Sequence, residues 1–327
     1  MKEKEKSGAD MKFSMEENSV STVANVMAVE RIVNCLNNHK EKSSSSSGFL
    51  NYSVLYKKEV DSTNLWAKDM ARAGAPEGTV VLADAQTAGQ GRRGRSWASG
   101  GGHSIYMSLI LRPEIAPEQA SMLTLVMGLA VTQVCRNIRV VNDVNSDPMV
   151  SCGIEVKGKE DIDGLSSCLD AKIKWPNDVV LFGKKVCGIL TEMGMKGTGI
   201  DYVIAGIGIN VNATEFPEEI RETATSLAIE AGRVLEREEI AAAVLEQISI
   251  YYKDFLKTGD MTNLIKEYNE VLVNREREIR VLDPKAEYRG IATGINETGE
   301  LLVTKEDGTH VAVYAGEVSV RGIYGYV

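Results

Sequence analysis

A loop rich in glycine and arginine separates two apolar segments and restricts the possible folds more than any other feature of the chain. Residues 86–95 contain three glycines and three arginines and directly follow the apolar run 79–85. Glycine lets backbone N–H groups approach a ligand, and arginine presents a planar, permanently charged set of donors to carboxylate or phosphate. We therefore interpret the loop as a site for a small anion. A solvated hairpin loop is the alternative.

The loop also contains the pattern Gly-x-Gly-x-x-Gly, which is typical of dinucleotide-binding folds. The three glycines are Gly89, Gly91 and Gly94, and the chain continues with serines and three consecutive glycines at 100–102. A dinucleotide fingerprint must open a helix whose N-terminus meets the pyrophosphate, and such a sequence does not start a helix. We reject that interpretation. The alternating apolar residues of 105–111 instead predict a second strand, paired with 79–85 in a hairpin.

Composition limits the class of protein. The chain has 327 residues, of which 43% are hydrophobic, enough for one sizeable domain and a smaller one. Its 37 basic and 46 acidic residues give a net charge of −9, which opposes general binding to nucleic acid or to an anionic membrane. Five scattered cysteines and three histidines predict neither a disulfide framework nor a metal site, so we expect a cytoplasmic protein. The longest apolar stretch, 122–134, is too short to span a bilayer.

The chain divides into three parts. Residues 1–51 are predicted to hold a disordered tail, a short helix at 23–37 and a serine-rich linker, so that the ordered body begins near Tyr52. Residues 52–273 form the main domain, with an insertion at 140–171 that lacks a regular period. The first helix of this domain is predicted to start at 61–64. Three further helices are predicted at 117–134, 236–256 and 263–273. Its predicted strands are 79–85, 105–111, 173–175, 179–182, 185–193 and 202–211, with a turn at 183–184.

The last part, residues 274–327, has a different sequence pattern from the main domain. Five short segments rich in strand formers follow one another with turn residues between them, at 277–282, 288–295, 301–305, 310–314 and 317–321. Five strands in so short a stretch predict a small SH3-like barrel.

A second unusual string is Lys174-Trp175-Pro176-Asn177-Asp178, at the end of one predicted strand and the start of the next. Proline stiffens the backbone and Asn-Asp favours a turn, so Lys174 is held in place as an electrostatic catalyst must be. The alternative is a lysine that protects a sheet edge. In both interpretations we expect the lysine to be surface-accessible and to contribute little to folding.

Five motifs, in order along the chain, resemble those of biotin protein ligases. They are Asp61-Ser62-Thr63-Asn64, the 86–95 loop, Lys174 to Asp178, Gly188-Ile189-Leu190 with Glu192, and Gly206-Ile207-Gly208-Ile209-Asn210. The resemblance implies an α+β fold with a mixed-sheet catalytic domain like that of class II aminoacyl-tRNA synthetases, followed by the small barrel. It also implies a two-step reaction. The biotin carboxylate attacks the α-phosphorus of ATP, and a lysine of a biotin carboxyl carrier domain then takes the acyl group from biotinyl-5′-AMP.

The same resemblance assigns roles to residues. Lys174 and Arg92 are the expected catalytic residues. The expected biotin-binding residues are Ser62, Thr63, Asn64, Gln86, Gln90, Gly91, Arg92, Lys174, Gly188, Gly206 and Gly208. The expected ATP- or adenylate-binding residues are Arg92, Arg93, Arg95, Trp97, Lys174, Asn177 and Asn210. Mg²⁺ would accompany ATP. For each glycine, close backbone approach to the ligand and simple packing within a strand remain open.

The resemblance further implies a carrier protein or domain of a biotin-dependent carboxylase as partner, and neither nucleic acid nor membrane. Open sheet edges could pair two chains as a homodimer. We expect the loop 89–102 to order over the intermediate and exclude water. Gln90 departs from the family, because many members have a basic residue there, and the missing charge predicts greater leakage of the adenylate.

Two alternatives are open. The first is a lipoate ligase of the same superfamily. The second is a biotin-responsive repressor that binds DNA, which would need a winged helix-turn-helix of several helices with a basic face. The residues before the body contain one predicted helix and a serine linker, so we expect no repressor function.

Overall fold

The computed structural model describes residues 27–42, 50–95, 97, 99, 101–140, 168–282, 287–315 and 319–322. The predicted tail, the serine-rich linker at 43–48 and most of the 140–171 insertion lie outside these ranges. None of the helices in the described ranges combines the length and the apolar character that crossing a lipid bilayer requires.

A seven-stranded mixed sheet forms the centre of the main domain, as the α+β prediction required. Its order is β1-β2-β3-β7-β6-β5-β4, and only β1 and β2 run parallel among these neighbours. The strands are β1 (Ser53–Val60), β2 (Thr79–Gln86), β3 (Ser104–Leu111), β4 (Ala171–Lys174), β5 (Asp178–Leu181), β6 (Lys184–Lys196) and β7 (Gly199–Asn210). The predicted hairpin of 79–85 with 105–111 is confirmed as β2 and β3.

Both faces of the sheet are covered by helices. The helices are α1 (Val29–Lys42), α2 (Thr63–Arg72), α3 (Met122–Arg136), α4 (Leu227–Ala231), α5 (Arg237–Thr258) and α6 (Ile265–Val271). Successive side chains of a strand point to opposite faces. Val80 and Leu82 of β2 therefore belong to the core under α3 and α5, whereas Val81 packs with Ala67 of α2 on the other face. Each such buried aliphatic side chain contributes about 1.5–3 kcal/mol to folding.

The C-terminal part forms a second sheet of five antiparallel strands, and all five predicted strands are confirmed. They are β8 (Arg277–Leu282), β9 (Tyr288–Ile295), β10 (Leu301–Lys305), β11 (His310–Val313) and β12 (Ser319–Gly322), in the order β11-β10-β9-β8-β12. The indole Nε1 of Trp175 donates to the carbonyl of Gly299 in the β9–β10 connection at 3.1 Å. The buried Trp175 thereby attaches the string of residues 174–178 to this second sheet.

Three local expectations need correction. Helix α1 starts at Val29 rather than at residue 23 and packs on α5, where Ile32 and Leu36 are buried in the main core, so the ordered body does not begin at Tyr52. The β5–β6 turn lies at Phe182 and Gly183, one residue earlier than predicted, because both adopt positive φ angles of 48° and 78°. Strand β1 has no counterpart in the prediction.

Candidate active site

A narrow cavity lies between the N-terminus of α2, strands β6 and β7, and residues 86–95, the glycine-arginine loop. Every predicted biotin-binding residue except Lys174 lines it. Its walls are Ser62, Thr63, Asn64, Gln86, Gln90, Gly91, Arg92, Trp97, Tyr106, Asn177, Lys185, Gly188, Ile189, Leu190, Gly206, Ile207 and Gly208. Residues from five separate sequence motifs thus meet in one place.

Neutral polar groups at the base of α2 form a connected network. The backbone N–H of Thr63 donates to Gln86 Oε1 at 2.9 Å, and the Thr63 hydroxyl donates to the same oxygen at 3.2 Å. Ser108 on β3 lies within hydrogen-bond distance of Thr63 Oγ1 and of Asn64 Oδ1. Ser62 is the N-cap of α2, yet its hydroxyl makes no capping hydrogen bond. Ser62 is buried and lines the cavity, so its hydroxyl is placed to meet a ligand there.

Three of the glycines of β6 and β7, Gly188, Gly206 and Gly208, make room for side chains. A Cβ on Gly206 would lie 2.0 Å from Asn64 Oδ1, and a Cβ on Gly188 or Gly208 would lie 2.6 or 3.0 Å from the indole of Trp97. The side chains of Asn64 and Trp97 therefore occupy the space beside these glycines. The Trp97 Nε1 is buried and has no hydrogen-bond partner in the described part of the chain.

A wider cleft of about 660 Å³ opens beside the narrow cavity. All seven predicted ATP-binding residues line it, namely Arg92, Arg93, Arg95, Trp97, Lys174, Asn177 and Asn210. The two cavities share Gly91, Arg92, Trp97, Tyr106, Asn177 and Lys185. A ligand that enters one cavity can therefore meet a ligand in the other at this shared wall.

Lys174 is buried, with 6% of its surface exposed, so the expectation of a surface-accessible lysine is wrong. It ends β4, and the pairing of β4 with β5 places it opposite Asp178. The pKa of Lys174 is lowered to about 8 in total, and burial is the largest of the causes. Asp178 acts in the opposite direction, and the nearby cations Lys185, Arg321 and Arg95 also lower the pKa. Removal from water, rather than the neighbouring charges, is the main reason for this shift.

Arg92 connects three parts of the molecule. Its Nη1 donates to Asn177 Oδ1 at 2.9 Å, and its Nη2 donates to the carbonyl of Ala315, which follows β11. Burial lowers the pKa of Arg92, but an arginine remains charged at any physiological pH. The loop, the Lys174 string and the C-terminal sheet are thus held together at the wall that both cavities share.

Asn210 lines the cleft but its amide is committed to the protein. Its Nδ2 donates to the carbonyl of Thr225 at 3.0 Å. Backbone hydrogen bonds from Lys185 to Thr223 and from Thr225 to Lys185 hold the same segment against β6. Asn210 therefore shapes the wall of the cleft through the 223–225 segment.

Comparison with known proteins identifies the chain. The model of the Biotin/lipoate A/B protein ligase family matches residues 56–210, and that of the Biotin protein ligase C terminal domain matches residues 276–321. The bifunctional ligase/repressor BirA of Bacillus subtilis is 34% identical over 270 residues, which cover 82% of this chain and 74% of the relative. The chain belongs to the biotin/lipoate A/B protein ligase family.

Two further relatives support the assignment. The biotin–(acetyl-CoA-carboxylase) ligase of Paracoccus denitrificans is 30% identical over 268 residues, covering 80% of this chain and 98% of that protein. The structure of the biotin protein ligase of Aquifex aeolicus in complex with biotin and ATP has a TM-score of 0.65 and 30% identity, and the match covers 83% and 99% of the two chains. The resemblance drawn from the five motifs is thereby confirmed.

Sequence reasoning missed part of the site. Lys185, Tyr106 and His103 line the cleft together with residues from Ala213 to Ala224, and Arg321 reaches it from β12. Lys185 directly follows the predicted β5–β6 turn, and nothing in that local pattern separates it from Lys184. Strand pairing rather than sequence pattern brings it to Asp178, with Nζ and Oδ1 2.6 Å apart.

Proposed function

We propose that this member of the family is a biotin protein ligase that forms biotinyl-5′-AMP from biotin and ATP and transfers the biotinyl group to a lysine of a biotin carboxyl carrier domain. The observation that carries the proposal is the junction of two unlike cavities at Gly91 and Arg92. Away from the shared wall, the narrow cavity presents neutral hydrogen-bonding groups, whereas the wide cleft adds the cations Arg93, Arg95, Lys174 and Arg321. A neutral ring system and a polyanion are the ligands that these surfaces suit.

The narrow cavity fits the ureido ring of biotin. Ser62, Thr63 and Gln86 supply hydroxyl and amide groups, and a cyclic urea offers two N–H donors and one carbonyl acceptor. The Gln86 oxygen already accepts from Thr63, so its amide nitrogen is the group left for a ligand carbonyl. The Trp97 indole would shift or pack on the ring, and its unpaired Nε1 can donate to a ligand oxygen.

The shared wall is where the reacting groups meet. A biotin carboxylate oxygen bonds to the α-phosphorus, and the bond from that phosphorus to the bridging oxygen breaks as pyrophosphate leaves. Mutual repulsion of the two anions opposes this step, and Lys174, Arg92 and Arg95 are the side chains that offset it. In the second step the neutral lysine amine of the carrier attacks the acyl carbon, the bond to the phosphate oxygen breaks, and AMP leaves while the nitrogen gives its proton to solvent.

Mg²⁺ would enter with the nucleotide. In the described ranges, no three His, Cys, Asp or Glu side chains are grouped closely enough to hold a metal ion. Mg²⁺ in nucleotide sites is commonly held by one or two carboxylates together with substrate phosphates. Asp178 and Glu215 are the carboxylates on the wall of the cleft that fit this arrangement. The ion would neutralise the triphosphate.

The proposal also covers the glycine-arginine loop, the C-terminal sheet and the assembly of the protein. The glycine-arginine loop is held by hydrogen bonds from Gly91 N–H to the Arg95 carbonyl and from Trp97 N–H to the Gly89 carbonyl, and it would close over the adenylate to exclude water. The C-terminal sheet would form the SH3-like barrel and help to position the carrier. The likeness of the main domain to class II aminoacyl-tRNA synthetases, a homodimer and a cytoplasmic location are parts of the same proposal.

One incubation tests the function. The purified chain is mixed with biotin, Mg-ATP and a biotin carboxyl carrier domain, and intact-mass spectrometry follows the carrier. We expect the carrier to gain one biotinyl group, with pyrophosphate released in step with biotin and not with lipoate. Lipoate-dependent release would identify a lipoate ligase instead. No mass gain with either acid would contradict the proposal, and a gel shift at moderate salt tests the repressor alternative.

A further inference from the structure

Glu192 and Lys68 form an ion pair just outside the narrow cavity. Lys68 Nζ lies 2.5 Å from Glu192 Oε1, and the two side chains are 20% and 28% exposed. An ion pair near the surface usually contributes little to stability. This pair differs because the second carboxylate oxygen, Oε2, accepts a hydrogen bond from Asn64 Nδ2 at 2.8 Å. The pair is thereby connected to a residue that lines the cavity.

The hydrogen-bonding capacity of the Asn64 amide is almost fully used. An amide nitrogen has two N–H donors, and here one points to Glu192 Oε2 and the other to the carbonyl of Leu190 at 3.3 Å. The amide oxygen Oδ1 accepts from the Ser108 hydroxyl at 2.7 Å and keeps one further lone pair. Asn64 can therefore meet a ligand only as an acceptor.

Glu192 decides which way this amide faces. A rotation by 180° would place Oδ1 against the Glu192 carboxylate and the Leu190 carbonyl, two groups that can only accept. Of the two contacts, the charged one is the shorter and the stronger. The Asn64 side chain cannot move toward β7 either, because its Oδ1 already fills the space next to Gly206, where any other residue would have a Cβ. One orientation of the amide is thus strongly favoured.

We propose that Glu192, itself held by Lys68, is a positioning residue for biotin recognition. It acts through Asn64: by binding both the amide nitrogen and Lys68, the carboxylate presents an acceptor to the cavity and selects a ligand whose ring carries an N–H, as a cyclic urea does. The inference rests on the proposed function, because it takes biotin to be the ligand of the narrow cavity.

A double-mutant cycle on biotin affinity tests the proposal. Glu192→Ala, Asn64→Ala and the combined variant are compared with the parent by calorimetric titration with biotin, and by the KM for biotin and for ATP. Loss of the charged hydrogen bond should weaken biotin binding about tenfold in the parent background, with kcat and the KM for ATP nearly unchanged. In the Asn64→Ala background the same change should have almost no effect, since neighbours that act through one another are not additive.

The conservative variant Glu192→Gln keeps an oxygen that can accept from Asn64 and should retain most of the affinity. Lys68→Met leaves the carboxylate in place but unsupported, and should weaken biotin binding by a few-fold only when Asn64 is present. The matched control is Asp201→Ala, which breaks the ion pair to Arg112, a pair of similar exposure that lines neither cavity. It should leave the Kd for biotin unchanged.

The result that overturns the inference is an equal loss of biotin affinity from Glu192→Ala with and without Asn64. Should Glu192→Ala fail to fold, the Lys68→Met cycle gives the same decision. A biotin analogue methylated on the ring nitrogens sharpens it: the parent should reject this analogue more strongly than Asn64→Ala or Glu192→Ala does, and equal rejection by all three would also overturn it. A parent that binds no biotin at all would contradict the proposed function itself, which distinguishes the two failures.

Discussion

The two cavities of this molecule meet at one wall but are built in opposite ways. The narrow one is lined at its base by Thr63, Asn64 and Gln86, whose neutral groups are tied to one another, to Ser108 and to the backbone. The wide one is lined by more arginines and lysines than carboxylates, of which it has Asp178 and Glu215, and it remains open.

The difference reflects what each ligand requires. A neutral ring is distinguished by the direction of each donor and acceptor, so its site needs fixed orientations, and buried partners supply them. A polyanion is bound by charge that acts over several ångströms, so its site tolerates an open cleft and needs many cations instead. Changes on the neutral side should therefore alter biotin affinity, and changes on the cationic side should alter the rate of adenylation.

The largest expected effect is on the cationic side. Lys174→Met should lower the rate of adenylate formation about 10³-fold, because it removes a preorganised charge beside the reacting phosphoryl group. Pyrophosphate release measures the rate, and calorimetry should show the Kd for biotin nearly unchanged. Lys172→Met is the matched control, since Lys172 lies on the same strand but pairs with the exposed Asp170. Activity within a few-fold of the parent would remove Lys174 from the mechanism.

On the neutral side, Gly206→Ala should weaken biotin binding by roughly 100-fold, because the new methyl group would displace Asn64. The KM for ATP should change far less. Gly199→Ala is the control: it lies on the same strand, and a Cβ there meets nothing within 4 Å. If both substitutions had the same effect on biotin affinity, the fixed neutral network would not be what holds the ligand.

The pH dependence of adenylation also distinguishes the cationic cleft from the neutral cavity. The pKa of Lys174 is about 8, so in the ligand-free enzyme its charge is lost as the pH rises through that value. The kcat/KM for adenylation should then fall by up to about tenfold per pH unit above pH 8. Lys174→Arg should lose this fall, since arginine stays charged. A decline that is identical in Lys174→Arg would assign it to another group.

The lowered pKa of Lys174 also predicts how the free energy of unfolding changes with pH. The folded pKa of Lys174 lies below its ordinary value of 10.5, so between about pH 8 and 10.5 the unfolded chain binds more protons. The contribution of Lys174 to the free energy of unfolding should therefore rise with pH in that window. Urea unfolding of the parent and of Lys174→Met at pH 7 and 10 checks the sign, with the variant showing the smaller gain.

The smallest effect concerns Gln90, an exposed residue on the wall of the narrow cavity. Gln90→Arg adds a charge near the adenylate and should reduce the release of free biotinyl-5′-AMP by about two- to fivefold, the size expected of a solvent-exposed ion pair. Quenched-flow sampling without a carrier measures the release. Equal release from the two proteins would mean that the glutamine does not cause leakage.

Local sequence was enough to predict most of the elements. The alternation of apolar residues in β3 and β7, and the turn residues between the C-terminal strands, correspond to the observed strands because a strand face and a tight turn are short-range properties. Strand β1 was missed since it lies at the sheet edge with its side chains half-exposed, so it lacks a strong apolar pattern. The burial of Lys174 was missed because its cover comes from distant segments.

The sequence by itself determined the chemistry available to this protein: a flexible cationic loop, a stiffly held lysine, and small polar residues at a helix start. It also determined the family through the order of five motifs. Tertiary structure decided how these groups act. Asn64 and Glu192 are 128 positions apart, and Arg92 and Asn177 are 85 apart, so the pairs that orient the amide and hold the loop exist only after the strands have paired. Hydrogen-bond direction and desolvation depend on such long-range neighbours, and for that reason no local pattern could specify the polarity of the narrow cavity or the pKa of Lys174.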